Sequence, residues 1–206
     1  LVGSIPTGLV LGKLVWHVDL REYGSHNIGA TNAWRTLGKG PGTIICVLDL
    51  LKGVLGVWFG LHFSGAPLAL ALGGIFAIVG HSWSLFLAFK GGKGVATGLG
   101  VILMLMPKAT LFVFLVWLVL VFLTRYVSLG SIVAAALVPV FAWFFNEPAE
   151  YILFGLAAAV FVIYRHKSNI GRLLNGTESK IKVGHRRWFH IVRKRLRTPL
   201  CVQEIS

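Results

Sequence analysis

The chain has 206 residues, 56% of them hydrophobic and 13% charged, a net charge of +13 and a mean hydropathy of +0.78. A soluble domain carries about twice that charged fraction, and residues 67–79, 111–123 and 127–145 hold no Lys, Arg, Asp or Glu at all. Leu, Val, Ala and Phe run consecutively, which excludes the alternation of an outer-membrane barrel. Excess Lys and Arg in so apolar a chain is the signature of cytoplasmic loops rather than of nucleic-acid binding.

Apolar runs of about 17–25 residues suit a hydrocarbon layer about 30 Å thick, so the expected fold is all-α and polytopic. Leu1 opens partway into an apolar segment that ends near Trp16, and this first helix is expected to lack its first turns. No cleavable signal peptide is visible. A polar stretch over 17–42 follows, then spans over 43–61 and 68–89, and then the cluster Lys90-Gly-Gly-Lys93-Gly94. The apolar run 95–123 contains Pro107, which inside one helix would cost about 3 kcal/mol. A turn at Pro107 instead divides the run in two. Spans over 127–145 and 151–164 complete seven crossings, with five or six and a re-entrant piece as the alternative. Seven crossings put every basic loop on one side and leave Lys108 with Glu147 and Glu150 on the other. By the positive-inside rule the basic side is cytoplasmic. Residues 1–182 form one integral membrane domain. Residues 183–206 form a basic tail, interleaved with Trp188, Phe189 and Ile191, which reads equally as an amphipathic helix on anionic lipid or as a disordered end.

Four polar segments carry chemistry. In 24–32 (GSHNIGATN), Ser25, Asn27, Thr31 and Asn32 offer small donors beside two glycines, with Arg35 close behind. That mixture suits a phosphate or oxyanion, although the same residues also make solvated turns. Lys90 and Lys93 flank two glycines at a helix start, a compact cationic nest for phosphate or simply a positive-inside anchor. Gly94 follows Lys93 where a nucleotide P-loop would need Ser or Thr. Ser128 and Ser131 follow Arg125. His166 and Asn169 stand three apart, on one face of a continuing helix, with Arg172 beyond them. His81 reads as a packed core histidine or a site residue, and Asp49 with Lys52 as a structural ion pair near the interface. No spacing of His and Cys suits zinc, and the paired carboxylates of a divalent-metal site are missing. A phosphorylated-solute transporter would also need a basic site, but it places polar groups at mid-membrane, unlike these apolar spans.

The ordered set GSHNIGATN with Arg35, GHSW with FKGGKGVATGLG, RYVSLGS and RHKSNIGRL resembles the bacterial acyl-phosphate:glycerol-3-phosphate acyltransferases, the PlsY family, over about residues 3–182. The resemblance implies transfer of a fatty acyl group from acyl phosphate to the 1-hydroxyl of glycerol 3-phosphate at the inner membrane. The products would be lysophosphatidic acid and inorganic phosphate, formed without metal or other cofactor and without nucleic acid. Membrane lipid and the enzyme that forms acyl phosphate are the implied partners. By motif position, Ser25, Asn27, His166 and Asn169 would be catalytic. Arg35, Lys90, Lys93, Thr31, Asn32, Ser128, Ser131 and Arg172 would bind phosphate. The proton-accepting base is either His166 or a substrate phosphate. One departure is His26, where many members place Gly, in a turn that would favour positive φ.

Overall fold

A computed structural model describes residues 1–181; the expected basic tail lies outside the described residues. The described chain is helical, with α1 Thr7–Leu14, α2 Ala30–Thr36, α3 Lys39–Phe63, α4 Pro67–Ser82, α5 Val95–Leu105, α6 Pro107–Thr124, α7 Val127–Phe144, α8 Ala149–Arg165 and α9 Lys167–Leu174. Single 3₁₀ turns occur at Val2–Ser4, Leu20–Glu22 and Leu85–Leu87.

The helix boundaries follow from residue chemistry. Pro67 and Pro107 each occupy a first helical turn, where the missing N–H costs nothing. Pro107 therefore starts α6 rather than kinking a longer helix, and the division expected there is a helix boundary. Pro139 sits inside α7, an interruption that neighbouring helices make tolerable in membranes. The helices approach closely through small residues, as membrane helices do. A Cβ on Gly53 would lie 2.0 Å from the Thr97 carbonyl, and one on Gly100 the same distance from that of Leu50, which locks α3 to α5. Gly56 meets Gly73 in the same way between α3 and α4. Val57, Ile78, Val101, Met106 and Phe154 form the centre of the core. Large apolar side chains such as Phe76, Phe122, Trp143 and Val160 face outward, the reverse of a soluble surface.

Length limits the count of crossings. Among the described residues four helices, α3, α6, α7 and α4 with its 3₁₀ extension to Leu87, are long and apolar enough to cross a membrane. The pair α8 and α9, bent by 59°, makes a fifth if counted as one span. Helix α5 has 11 residues and α1 has 8. At 1.5 Å per residue they reach about 16 Å and 12 Å, well short of the hydrocarbon thickness. Alternating helix directions nevertheless bring the starts of α3, α5 and α7 and the ends of α4, α6 and α8 to one end of the bundle. The site lies there.

Candidate active site

The 24–32 loop is built around one side chain. Asn32, in the first turns of α2, is 2% exposed. Its Nδ2 donates to the carbonyls of Leu20, Tyr23 and Asn27 at 2.8–3.0 Å, and its Oδ1 accepts the Ser25 N–H at 2.8 Å. Every polar atom of Asn32 is thus spent on bracing the loop. Asn27 Oδ1 accepts the Gly29 N–H at 2.8 Å, and Asn27 and Ser25 both line a polar cleft. His26 adopts φ 57°, and its Nδ1 donates to the Arg21 carbonyl at 2.8 Å. That local bond offsets the strain expected of a side chain at positive φ. Thr31 is half-buried on α2.

The Gly-Gly segment is not an open anion nest. Gly91 N–H donates to the Ser82 carbonyl at 3.1 Å and Gly92 N–H to the His81 carbonyl at 3.0 Å. Arg165 on α8 donates to the Gly92 carbonyl at 2.8 Å and the Gly91 carbonyl at 3.1 Å. All four backbone groups are occupied, which leaves phosphate to side chains. Ala88 and Phe89 both turn at positive φ before the strap. As a result Lys90 is exposed and does not line the cleft, whereas Lys93 does.

Lys93 Nζ donates to Asn169 Oδ1. Asn169, 3% exposed, donates through Nδ2 to Glu178 Oε1 at 2.7 Å. Glu178 also accepts from the Ser128 hydroxyl at 2.8 Å and from Arg172 Nε at 2.7 Å. It thereby ties α7 and α9 to the lysine. Burial works to raise its pKa, but these three hydrogen bonds and the Arg172 charge outweigh burial and hold the carboxyl below its usual range. The sequence reading did not single out Glu178. Its signal is that it is the one carboxylate between Glu150 and Glu204, in a stretch crowded with Lys and Arg.

Burial pushes the Lys93 ammonium down to about 8, with Arg172, Arg35 and Arg165 adding to the effect and Glu178 opposing it. Burial likewise lowers Arg35, whose Nη2 donates to the Ser179 carbonyl at 2.7 Å. Its Nε is buried with no partner among the described residues. His166 caps α8 where the helix breaks, so it and Asn169 straddle a 59° bend rather than sharing one continuous helix. It is 3% exposed and pushed down to about 4, by burial first, opposed by its bond to Val162 and aided by the Lys93 charge. A carbonyl can only accept, so the 2.7 Å contact from Nδ1 to the Val162 oxygen places the proton on Nδ1 of a neutral ring.

Ser25, Asn27, Lys93, Arg165 and Arg172 line a cleft of about 290 Å³, together with Trp83, Tyr164, Lys167 and Ser168. A second, apolar slot begins at Gly94 and Val162 and runs between α5, α6, α7 and α8, past Gly98, Ala134 and Ala158, toward Ile102, Val138 and Phe154. Ser131 lies in this slot, where it accepts the Trp117 indole N–H at 3.3 Å, rather than in the polar cleft. Lys93 lines the cleft and the next residue, Gly94, lines the slot.

Residues 1–176 match the family model described as glycerol-3-phosphate acyltransferase. The chain is 47% identical to the glycerol-3-phosphate acyltransferase of Desulforamulus reducens over 88% of this chain and 90% of that one. It is 50% identical to glycerol-3-phosphate acyltransferase 2 of Moorella thermoacetica, covering 88% and 93%. The fold superposes with a TM-score of 0.84 on a crystal structure of PlsY, an integral membrane glycerol 3-phosphate acyltransferase, in its glycerol 3-phosphate form. That match is 42% identical and covers 88% of this chain and 91% of that one. The lysophosphatidic acid form of PlsY gives 0.82 at 39% identity over the same shares. With its four motifs gathered at one end of an apolar helical bundle, this chain belongs to the glycerol-3-phosphate acyltransferase family as an integral membrane protein of the PlsY type.

Proposed function

We propose that the protein transfers a fatty acyl group from acyl phosphate to the 1-hydroxyl of sn-glycerol 3-phosphate, releasing lysophosphatidic acid and inorganic phosphate. The observation that carries this reading is the adjacency at Lys93–Gly94, where a cationic cleft and an apolar slot are lined by consecutive residues. A substrate with a charged phosphate one bond from the carbonyl of a long chain fits that adjacency. Glycerol 3-phosphate needs only the cleft.

Acyl phosphate is an activated anhydride, so the reaction needs no covalent intermediate on the enzyme. The glycerol hydroxyl oxygen bonds to the acyl carbon, and the acyl C–O bond to phosphate breaks with its electron pair leaving on phosphate. Lys93 and Arg172 neutralise that developing charge, and Arg35, near enough to depress the Lys93 ammonium, adds its guanidinium to the same field. The Ser25 hydroxyl and the Asn27 amide orient the acceptor or the carbonyl oxygen. The proton passes to a substrate phosphate. A phosphate ester loses its second proton near about 6 and is a stronger base than an imidazole lowered to about 4. His166 then serves by holding the bend that aims Asn169. Thr31, Ser128 and Asn32 shape the phosphate-binding wall rather than reach substrate.

By the positive-inside rule, the basic loops support a cytoplasmic orientation of this face at the cell membrane. Residues up to 182 act as one domain, and the enzyme that forms acyl phosphate is its natural neighbour. The test is direct. Purified protein supplied with acyl phosphate and labelled glycerol 3-phosphate yields labelled lysophosphatidic acid and one phosphate per turnover. Equal turnover with acyl-coenzyme A or acyl carrier protein as donor would overturn the assignment.

A further inference from the structure

The polar groups that this chemistry leaves unused form one connected set inside the bundle. Asp49 and Lys52 on α3 are 2% and 4% exposed and pair at 2.8 Å, deeper in the helix than the interfacial pair expected from sequence. Lys52 Nζ also donates to Thr7 Oγ1 at 3.0 Å and to the Ile5 carbonyl. The Thr7 hydroxyl donates to Asp49 Oδ1 at 2.5 Å. On the other side, Asp49 Oδ1 lies 3.6 Å from Nδ1 of His81 on α4. Ionisable side chains at this depth are costly, and apolar residues would pack the helices at lower cost. Their presence asks for a role.

The set ends at the glycine strap. A Cβ on Gly92 would stand 2.1 Å from His81 Nε2, so the ring presses directly on the Gly92 backbone. A Cβ on Gly91 would stand 2.1 Å from the His81 carbonyl. Arg165 grips both strap carbonyls from α8. The residue that follows is Lys93, whose ammonium reaches Asn169 across the cleft.

We propose that Asp49, Lys52 and His81 are positioning residues for Lys93: the buried ion pair fixes the His81 ring, the ring fixes Gly92, and the strap aims the lysine into the cleft. The kinetic part of the test rests on the reading of Lys93 as a phosphate holder; the labelling part does not. In wild-type protein, modification of Lys93 by an amine-reactive reagent should rise with a midpoint near pH 8, the value set by burial among Arg172, Arg35, Arg165 and Glu178. In His81→Ala the released lysine should move up by one pH unit or more toward the ordinary 10.5, while other lysines keep their midpoints. The same variant should raise KM for glycerol 3-phosphate at least tenfold, within the ten- to hundredfold range expected of a variant lacking the Lys93 charge. Combining it with Lys93→Met should add nothing further, because the two act as one unit. A folded His81→Ala protein whose Lys93 midpoint stays near 8 overturns the proposal, as do effects that multiply in the double variant. A shifted midpoint with unchanged KM supports the positioning role and instead sinks the phosphate role of Lys93. Should His81→Ala fail to fold, Gly92→Ala displaces the strap against an intact ion pair and must shift the same midpoint; an unchanged midpoint there overturns the proposal.

Discussion

Lys93→Met separates function from stability, because the two should move in opposite directions. The drop from the ordinary 10.5 to about 8 means that the folded protein disfavours the ammonium by roughly 3 kcal/mol, at about 1.36 kcal/mol per pH unit. Met has nearly the same length and no charge, so the substitution removes that penalty. It also strips Asn169 Oδ1 of its donor, which costs about 1–3 kcal/mol for a buried acceptor. The balance is a melting temperature unchanged or slightly raised. Binding should suffer, since a charge-assisted bond to phosphate contributes about 1.5–3 kcal/mol, or a ten- to hundredfold rise in KM. Linkage supplies a sign test. The folded lysine gives up its proton near 8 and the unfolded one near 10.5, so between those values the unfolded chain binds more protons and stability rises with pH. Below about 8 both forms are protonated and the penalty is constant. The rise should be present in wild type and missing in Lys93→Met, measured as thermal unfolding in detergent from pH 7 to 10.5. A collapse in melting temperature that tracks the loss of activity would show the lysine to be structural and refute this reasoning.

The proton acceptor is read from the acid side of the pH profile: kcat/KM should fall below about 6 if a substrate phosphate takes the proton, whereas a limb near 4, abolished in His166→Ala, would restore the histidine as base. Gly98→Leu should narrow the slot without disturbing the fold, because a Cβ there meets only Ile78 Cδ1 at 3.7 Å; turnover of long-chain acyl phosphates should drop at least tenfold while short-chain donors keep theirs, and equal loss across chain lengths would place the acyl chain elsewhere. Excess chelator should leave turnover intact, as among the described residues no three His, Cys, Asp or Glu side chains gather; loss that magnesium or zinc reverses would contradict the cationic mechanism.

Much of the fold was legible because proline and long apolar runs act locally. Pro107 divides α5 from α6 through its own missing N–H, and no partner is needed to infer that. The 59° bend at His166 left no such trace, since neither Gly nor Pro marks it. Motif order indicated which loops converge but not what each side chain does after convergence. Lys90 and Lys93 look equivalent in a string of letters. Two consecutive left-handed residues, Ala88 and Phe89, send one to the surface and the other into the cleft. Asn32 offered an amide to substrate by composition, and only the fold reveals that three carbonyls and an N–H have claimed it. Glu178 escaped notice because its partners Ser128 and Asn169 lie 50 and 9 residues away.

Glu178 also explains how so basic a site tolerates itself. Lys93 sits among Arg35, Arg165 and Arg172, each of which depresses it, and one carboxylate opposes them. Without that carboxylate the cations would repel one another across a partly desolvated cleft, where Coulomb energies exceed those in bulk water. With several carboxylates the cleft would be neutral and would hold phosphate poorly. A single carboxylate, fully occupied by Ser128, Asn169 and Arg172, fixes the geometry and leaves a net positive field suited to the two phosphate-bearing substrates proposed above. Because hydrogen bonds preorganise the field, it could act in the proposed reaction, as charge moves from the acyl oxygen to the departing phosphate, without reorganising.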